Sequence, residues 1–253
     1  MSFVSYDPAK RKLDELMKMK HLLPKEAADM LDTVSSLVDK RESYCERMTT
    51  KESPALAKIR KAAGTSTMTT DHLEGQFLKT LVSMTRAKKI LEIGLFFGHG
   101  ARAMAEAIPA DGTVVSCEIE AEQVEKTQKL LDQSPHGKKI QIKQDKSYSL
   151  VMVLTRPAKD TLLKLAEEGD TFDFIFMDAD KQSQKEYYKT IFGKQLLAPR
   201  GTLVVDNAFY FGESYDTDGT YEAHPVRKFN EFVVKDETVH RVSITKFVIP
   251  SFS

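Results

Sequence analysis

The sequence predicts an α/β fold in which a doubly wound, mostly parallel sheet follows an N-terminal helical extension. Two observations predict it. Apolar residues recur at helical spacing up to about Met84, and after Arg86 short apolar strands alternate with helical segments. Such an alternation implies right-handed crossovers, which cover both faces of a parallel sheet with helices.

Four helices are predicted before the first strand, from Pro8 to about Met84. Residues 13–17 and, more clearly, 27–38 carry apolar side chains every three or four positions, and Pro24 suits the first turn of the second helix. A third helix is expected to begin after Ser53, and a fourth near Thr70, after a short loop.

Five apolar segments of strand length follow, and helical patterns such as Glu122–Gln133 and Gln184–Phe192 lie between them. The tail, Val239–Val248, alternates like one more strand, which we expect to be antiparallel at the sheet edge. The five predicted strands are Lys89–Ile93, Thr113–Glu118, Lys139–Lys143, Phe172–Met177 and Thr202–Val205.

The whole chain, residues 1–253, is expected to form one domain, with the helical extension at 1–70 and the α/β core at 71–253.

Lys plus Arg (37) balances Asp plus Glu (37) without a long run of one sign, which argues against nucleic-acid binding. No apolar run has the length of a membrane span, and the Lys-rich N-terminus lacks a secretory signal. Cys45 and Cys117 lie in a predicted helix and a predicted buried strand. We therefore expect a reduced, cytoplasmic protein.

Ligands of doubly wound sheets bind beyond the carboxyl ends of the strands. After the first strand comes Glu92 and then the glycine loop, residues 94–100, whose glycines would allow a tight turn and a close approach to a ligand. A purely structural turn explains these glycines as well. Glu118 follows the second strand where nucleotide-binding folds place an acid for the ribose hydroxyls, although it could instead simply open the next helix.

The most informative polar residues are Asp178, after the fourth strand, and Asp206 and Asn207, after the fifth. Adjacent parallel strands would bring their carboxylate and amide oxygens to one edge of the sheet. Oxygen ligands without sulfur or imidazole suit Mg²⁺, Ca²⁺ or Mn²⁺ rather than zinc. The alternative is that the two aspartates only cap the helices that follow.

Four segments, between them covering roughly residues 53–207, resemble the cation-dependent O-methyltransferase family, which includes plant caffeoyl-coenzyme A O-methyltransferases and animal catechol O-methyltransferase. They are Met68–Leu78, Leu91–Gly94, Phe172–Lys181 and Gly201–Asn207. The resemblance implies a Rossmann-like fold, a homodimer, S-adenosylmethionine as methyl donor and a divalent cation, Mg²⁺ before Ca²⁺, Mn²⁺ or another ion. The implied acceptor is a phenolic vicinal diol such as a catechol, flavonoid or hydroxycinnamate.

The resemblance also implies roles for single residues. Lys181 looks like the general base, which requires its pKa to fall well below about 10.4. Asp180 is similar to a second acid, without a firm role. Asp178, Asp206 and Asn207 look like the metal ligands, and Asp178 also lies next to the reacting groups and the donor. The donor residues implied are Met68, Thr70, Glu74, Glu92, Gly94, Gly98 and Gly100, with Glu118 for the ribose and Asp145 and Ser147 for the adenine edge.

The chain departs from the family in three places. Gly100 stands where the family has a Ser or Thr hydroxyl, which backbone amides could replace, and His99 is either a new contact or, as is more usual for a loop histidine, exposed. Residues 208–225 are aromatic and acidic, without basic residues to hold coenzyme A phosphates, which indicates either an aromatic rim for a flat phenol or an ordinary surface loop or dimer contact. The family's last Gly-Asp-Gly strand is missing from the tail, which ends in Phe247–Ser253.

Two other functions fit parts of the pattern. A nicotinamide-dependent oxidoreductase would use a similar sheet, but the glycine spacing is wrong and no convincing Tyr-x-x-x-Lys pair is present. A non-catalytic module that binds the donor without turnover would be consistent with Gly100 and the altered tail.

Overall fold

The computed structural model describes residues 8–64, 66, 69–144, 158–212, 214–215, 224–244 and 247–252. In this part of the chain seven strands form a single sheet in the order β3-β2-β1-β4-β5-β7-β6. The strands are β1 Lys89–Ile93, β2 Thr113–Glu118, β3 Ile140–Gln144, β4 Phe172–Met177, β5 Leu197–Asp206, β6 Val239–Ser243 and β7 Phe247–Phe252.

The first five strands are parallel, as predicted. Strand β1 pairs with β2 on one side and with β4 on the other, so the strand order reverses between β1 and β4. Ile93, the last residue of β1, lies opposite Met177, the last of β4. The loops that follow β1, β2, β4 and β5 therefore lie at the same edge of the sheet, where ligands of doubly wound folds bind.

Helices cover both faces of the sheet because its strands are apolar on both sides. The helices are α1 Pro8–Lys18, α2 Lys25–Met48, α3 Pro54–Ala63, α4 His72–Thr85, α5 His99–Ala107, α6 Ala121–Leu131, α7 Lys159–Glu167, α8 Gln184–Gly193 and α9 Pro225–Val234. On one face of the sheet Ile90 and Phe174 pack under α3 to α6, and on the other Leu91 and Ile175 pack under α7 to α9.

The predicted starts of α3 and α4 are confirmed, and side-chain caps explain them. Ser53 Oγ accepts a hydrogen bond from Leu56 N at 3.2 Å, and Asp71 Oδ1 accepts one from Glu74 N at 2.8 Å. Each cap satisfies an N–H group that has no partner within its helix.

The prediction for the tail was correct only in part: β6 is an antiparallel strand at the sheet edge, but the tail contains a second strand as well. Instead of one edge strand over residues 239–248, the structure has β6 and β7, and β7 lies between β5 and β6, antiparallel to both. The tail was also expected to lack the family's last strand. Instead, β7 pairs with β5, with Val248 opposite Val205. Pro250 lies within β7, and proline is unusual inside a sheet because it has no N–H to donate. Helix α9, which was not predicted, precedes this pair of strands.

Cys45 is exposed, Cys117 is buried, and both are free thiols. Among the described residues, no helix is both long enough and apolar enough to span a membrane.

Candidate active site

The glycine loop approaches the end of β4 through Gly94. This residue has a φ of 101°, and a Cβ atom placed there would lie 2.3 Å from the backbone oxygen of Asp178. Asp178 N in turn donates to Ile93 O at 2.9 Å. Only glycine fits at this position, and its presence joins the predicted donor loop to the predicted metal ligands.

Glu118 fixes the middle of the glycine loop. Its carboxylate accepts hydrogen bonds from Phe96 N at 3.0 Å, Ile119 N at 2.7 Å and Glu120 N at 3.1 Å. The carbonyl oxygen of Phe96 is held by Thr127 Oγ1 at 2.7 Å. The loop and the acid at the end of β2 therefore form one ordered unit, and Gly98, with a φ of 74°, caps the N-terminus of α5.

Three of the predicted donor residues converge where α5 begins. A Cβ atom at Gly100 would lie 2.7 Å from Glu92 Oε1 and 3.4 Å from Thr70 Oγ1. The backbone N–H of Ala101 donates to the Glu92 carboxyl group, and Ser116 Oγ donates to Glu92 Oε2 at 2.6 Å. Burial raises the pKa of Glu92 to about 8. The missing side chain at position 100 thus lets the helix approach this carboxyl group closely.

The expectation that His99 is exposed was wrong. His99 is the first residue of α5 and only 2% exposed, because α4 and the segment before α3 cover it. Glu74, another predicted donor residue, is also buried, in the first turn of α4.

Asp178 and Asp206 come together as predicted, at the ends of β4 and β5. Their carboxyl groups are within hydrogen-bonding distance of each other, and the backbone N–H of Asn207 donates to Asp206. Burial and the neighbouring charge of Asp178 raise the pKa of Asp206 well above its ordinary value. A buried carboxyl group in contact with a half-buried one is costly unless a proton or a cation neutralises the pair.

The donor atoms fit a hard divalent cation. Within the described ranges, no group of three or more His, Cys, Asp and Glu side chains could hold a metal ion. Asn207, directly after Asp206, carries an amide oxygen that could serve as a third protein ligand beside the two carboxylates. Two carboxylates and an amide leave positions for other oxygen atoms in an octahedral shell of Mg²⁺.

Lys181 lies beside this pair, with Nζ 2.9 Å from Asp178 Oδ1. Burial tends to lower the pKa of this lysine, but the charges of Asp178 and Asp206 outweigh it and raise the pKa above its usual value. The direction is opposite to the fall required of a general base, so the expected fall in pKa is not found.

Asp180 has a structural contact that the sequence did not reveal. Its Oδ1 accepts a hydrogen bond from Ser183 N at 2.9 Å, and its Oδ2 accepts one from Tyr187 OH at 2.7 Å. Tyr187 is fully buried in α8. Asp180 therefore fixes the turn that carries Lys181 to the start of α8.

Beyond Asn207 the structure contains aromatic pairs. The ring of Tyr210 stacks on His224 with centroids 4.6 Å apart, and Phe209 meets Tyr215 edge to face at 5.6 Å. Tyr210 is near enough to Lys181 to affect its pKa. His224 was missed by the sequence analysis because it comes from the unpredicted N-terminus of α9. Residues 216–223, and the predicted donor residues Met68, Asp145 and Ser147, lie outside the described residues.

A reversed strand order at β1 and β4, a glycine loop and a pair of acids at that point define a ligand-binding α/β protein of the Rossmann-like class. Residues 46–247 match the family model described as O-methyltransferase. The chain therefore belongs to the O-methyltransferase family, as the sequence predicted.

Two curated relatives are informative. The chain is 31% identical to maize (Zea mays) caffeoyl-CoA O-methyltransferase 2 over 66% of its own length and 60% of that protein's length. It is 34% identical to mouse (Mus musculus) catechol O-methyltransferase domain-containing protein 1 over 75% of its own length and 70% of the relative's. The match thus spans less than two thirds of the maize protein.

Solved structures share the fold. The O-methyltransferase TomG from Streptomyces achromogenes, in complex with S-adenosylmethionine, superposes with a TM-score of 0.72 at 26% identity, covering 85% of this chain and 96% of TomG. An O-methyltransferase from Bacillus cereus in complex with SAH gives 0.71 at 22% identity, with coverages of 83% and 96%. The predicted fold class is confirmed.

Proposed function

We propose that this protein transfers a methyl group from S-adenosylmethionine to one hydroxyl of a phenolic vicinal diol, with a divalent cation, Mg²⁺ first, holding the acceptor. The observation that carries the proposal is the contact between Gly94 and Asp178, which puts the donor loop beside the paired carboxyl groups of Asp178 and Asp206. The names of the relatives, and the S-adenosylmethionine bound to TomG, support it.

The donor lies along the glycine loop in this proposal. Glu92 and Thr70 receive its methionine portion near the N-terminus of α5, and Glu118 receives the ribose hydroxyls. The oxygen of Glu92 that faces Gly100 is the one we assign to the donor's ammonium group, since the other accepts a hydrogen bond from Ser116. Backbone N–H groups at the N-terminus of α5 take the place of the family's hydroxyl at position 100.

Asp178, Asp206 and Asn207 would hold the cation, which when bound lowers the pKa of the acceptor hydroxyl and steadies the oxyanion. Lys181, 2.9 Å from Asp178, is the side chain we assign to the hydroxyl proton, because a cation held by Asp178 and Asp206 would offset the negative charges that raise the pKa of this lysine. The chain's further contribution is to hold the acceptor oxygen, the methyl group and the sulfur in line, and to exclude water as charge is neutralised.

The acceptor is a flat, uncharged ring in this proposal. Tyr210, close to Lys181 and backed by His224, offers an aromatic wall beside the metal ligands. Between residues 208 and 224 the sequence has no Lys or Arg and four acids, so phosphates of a coenzyme A thioester would find no basic partner there. Free catechols and flavonoids fit better than thioesters.

The test is a methyl-transfer assay on catechols, flavonols and caffeoyl thioesters, each with Mg²⁺ or with excess chelator, and with mass spectrometry to locate the methyl group. We expect turnover of a free catechol with Mg²⁺ only, and none in Asp178→Ala. Asp111→Ala is the control, since Asp111 is an exposed partner of Lys88. Full activity in chelator would refute the metal role, and donor binding without any product would favour the non-catalytic module.

We further propose a homodimer in the cytosol. None of the described side chains of α2 is buried. Five large apolar side chains on this helix are exposed, and together with Arg41 they follow one another at alternating spacings of four and three residues: Met30, Val34, Leu37, Tyr44 and Met48. The helix is about 36 Å long. In an antiparallel pair, Glu26 near one end would meet Arg47 of the partner. Sedimentation should show a dimer for the wild type and a monomer for Leu37→Glu. A monomeric wild type would exclude the proposed dimer. The location in the cytosol is tested with a fluorescent fusion.

A further inference from the structure

A buried histidine joins the helical extension to the start of α5. His99 Nε2 lies 3.4 Å from Oε2 of Glu52, a residue of the segment between α2 and α3. The side chain of His99 is 1% exposed and that of Glu52 9%. The segment that carries Glu52 is thus in polar contact with the first residue of the helix that closes the glycine loop.

Glu52 is itself held in place by α3. Its Oε1 accepts hydrogen bonds from both Nε, at 2.9 Å, and one terminal nitrogen of Arg60. Burial opposes the charge of Glu52, but Arg60 and His99 outweigh burial, and the pKa of Glu52 falls below its usual value. Glu52 therefore stays ionised and divides its two oxygens between the extension and His99.

The ring of His99 also lies against the backbone of α4 at Gly75. A Cβ atom at Gly75 would lie 2.8 Å from Cε1 of this ring, so the ring packs directly on the helix backbone. Its Nδ1 is buried and makes no hydrogen bond in the part of the chain that the structure describes. The contact with Glu52 therefore sets the orientation of the ring and favours the tautomer with the proton on Nε2.

The position of His99 decides where the first amides of α5 lie. Gly100 follows it directly, and the Ala101 N–H already bonds the Glu92 carboxyl group. Gly100 has no side chain with which to contact a donor, so the backbone must do so. A shift of the ring by a few tenths of an ångström would move these amides away from the donor.

We infer that His99 is a positioning residue for S-adenosylmethionine, and that Glu52 makes the helical extension part of the donor site by holding His99. The inference rests on the donor position given under the proposed function. In this inference His99 and Glu52 determine the affinity for the donor, and they do not affect binding of the acceptor or of the cation.

The groups that face His99 are Glu52, Arg60 of α3 and Asp71 at the start of α4. Burial lowers the pKa of His99 below its usual value, so the ring is neutral at neutral pH. A second proton would go to Nδ1, where it would find no described partner. Donor affinity should therefore fall in acid solution as the ring becomes charged.

The experiment measures the Kd for S-adenosylmethionine by calorimetry, and the KM for a catechol, in wild type, Glu52→Gln, His99→Leu and His99→Gln. We expect a weakening of donor binding of about tenfold or more in the first two variants, as for loss of a buried hydrogen bond to a charged group. His99→Gln, whose amide can still donate to Glu52, should recover part of the affinity. The catechol KM and the Mg²⁺ requirement should not change.

Glu106→Gln is the matched control. Glu106 lies at the other end of α5, is 8% exposed like Glu52, and binds the same extension through Ser53 Oγ at 2.5 Å, as well as Lys79 Nζ of α4 at 2.8 Å. Its loss should lower thermal stability but spare the donor Kd.

Equal loss of donor affinity in Glu52→Gln and Glu106→Gln would overturn the inference, because the contacts would then serve only to dock the extension. Unchanged affinity in His99→Leu would overturn it as well, while the donor site itself would stand. A wild-type protein without any affinity for S-adenosylmethionine would instead overturn the donor site, and the inference with it. If His99→Leu fails to fold, His99→Gln and Glu52→Gln decide between these outcomes.

Discussion

The two halves of the candidate site are stabilised in different ways. On the donor side, between β1 and β2, the loop is fixed by backbone contacts: Glu118 holds three N–H groups, and Phe96 is held through both its N–H and its carbonyl group. On the metal side, between β4 and β5, the carboxyl groups of Asp178 and Asp206 are in contact, and Lys181 lies beside Asp178.

The difference concerns what each half lacks. On the donor side the loop backbone is already held by protein hydrogen bonds, whereas on the metal side two carboxyl groups are in contact beside one lysine and can both be ionised only at a cost in free energy. A cation should therefore stabilise the fold through β4 and β5, and the methyl donor should act on a loop that is already ordered.

The largest expected effect is on the metal side. Asp206→Asn should lower turnover by about three orders of magnitude or more, because the cation supplies several kcal/mol of charge stabilisation to the transition state. The same change removes the repulsion of Asp178, so the protein without metal should unfold at the same or a higher temperature than wild type. Steady-state kinetics and thermal unfolding measure the two effects.

Added Mg²⁺ should raise the unfolding temperature of wild type but not of Asp206→Asn. The raised pKa of Asp206 means that the ion competes with a proton, so the stabilisation should grow as the pH rises above the ordinary carboxyl range. If Mg²⁺ stabilised wild type and Asp206→Asn equally, the ion would have to bind at a site other than Asp178 and Asp206.

The second largest effect is expected at Gly94, which joins the two halves. Gly94→Ala should destabilise the fold by about 3 kcal/mol or more, since the new methyl group meets the Asp178 backbone oxygen and the φ of 101° suits only glycine. Both donor and Mg²⁺ binding should weaken. Gly169→Ala is the control: Gly169 has a φ of 76° but no neighbour within 4 Å of the added atom, and should cost only about 1 kcal/mol. Denaturant unfolding of both variants makes the comparison.

A smaller effect is expected from Glu92 on the donor side. With a pKa of about 8, its carboxyl group is neutral at pH 7, and binding of the donor's ammonium group should ionise it. Donor affinity should therefore rise with pH up to about 8, with release of a proton that calorimetry detects in buffers of different ionisation enthalpy. Glu92→Gln should bind more weakly and lose this dependence; a retained proton release would assign the effect to another group.

The stability of the protein should follow the opposite pH course at this residue. The pKa of Glu92 in the folded protein lies above its unfolded value of 4.5. The contribution of Glu92 to the free energy of unfolding is therefore complete below pH 4.5 and is lost as the pH rises through about 8. Glu92→Gln should therefore resist unfolding better than wild type at pH 9.

Much of this site could be predicted from the sequence, because the ends of apolar strands are visible as patterns. Asp178 and Asp206 each follow such a run, and a parallel sheet must bring the ends of adjacent strands together. That β1 lies next to β4 was not predicted, since strand patterns alone do not specify neighbours.

Contacts made across long separations could not be predicted. Glu52 and His99 are 47 positions apart, and nothing in the local sequence of either indicates the other. The strand β7 was missed because Pro250 interrupts its pattern, and burial of His99 depends on α4, whose packing no local rule provides. Such residues became visible only when the helices were packed together.

The smallest effect is expected at the acceptor wall, where stacking and helix capping can be separated at one residue. His224 stacks on Tyr210, and its Nδ1 also accepts the Val226 N–H at 3.3 Å as the cap of α9. His224→Asn keeps a capping acceptor and loses the ring, whereas His224→Phe keeps the ring and loses the cap. If the ring orients Tyr210, the Asn variant should raise the catechol KM about 2- to 10-fold, the worth of one aromatic pair, with the donor Kd unchanged. The Phe variant should keep the KM and lose stability instead; the reverse result would make His224 a cap alone.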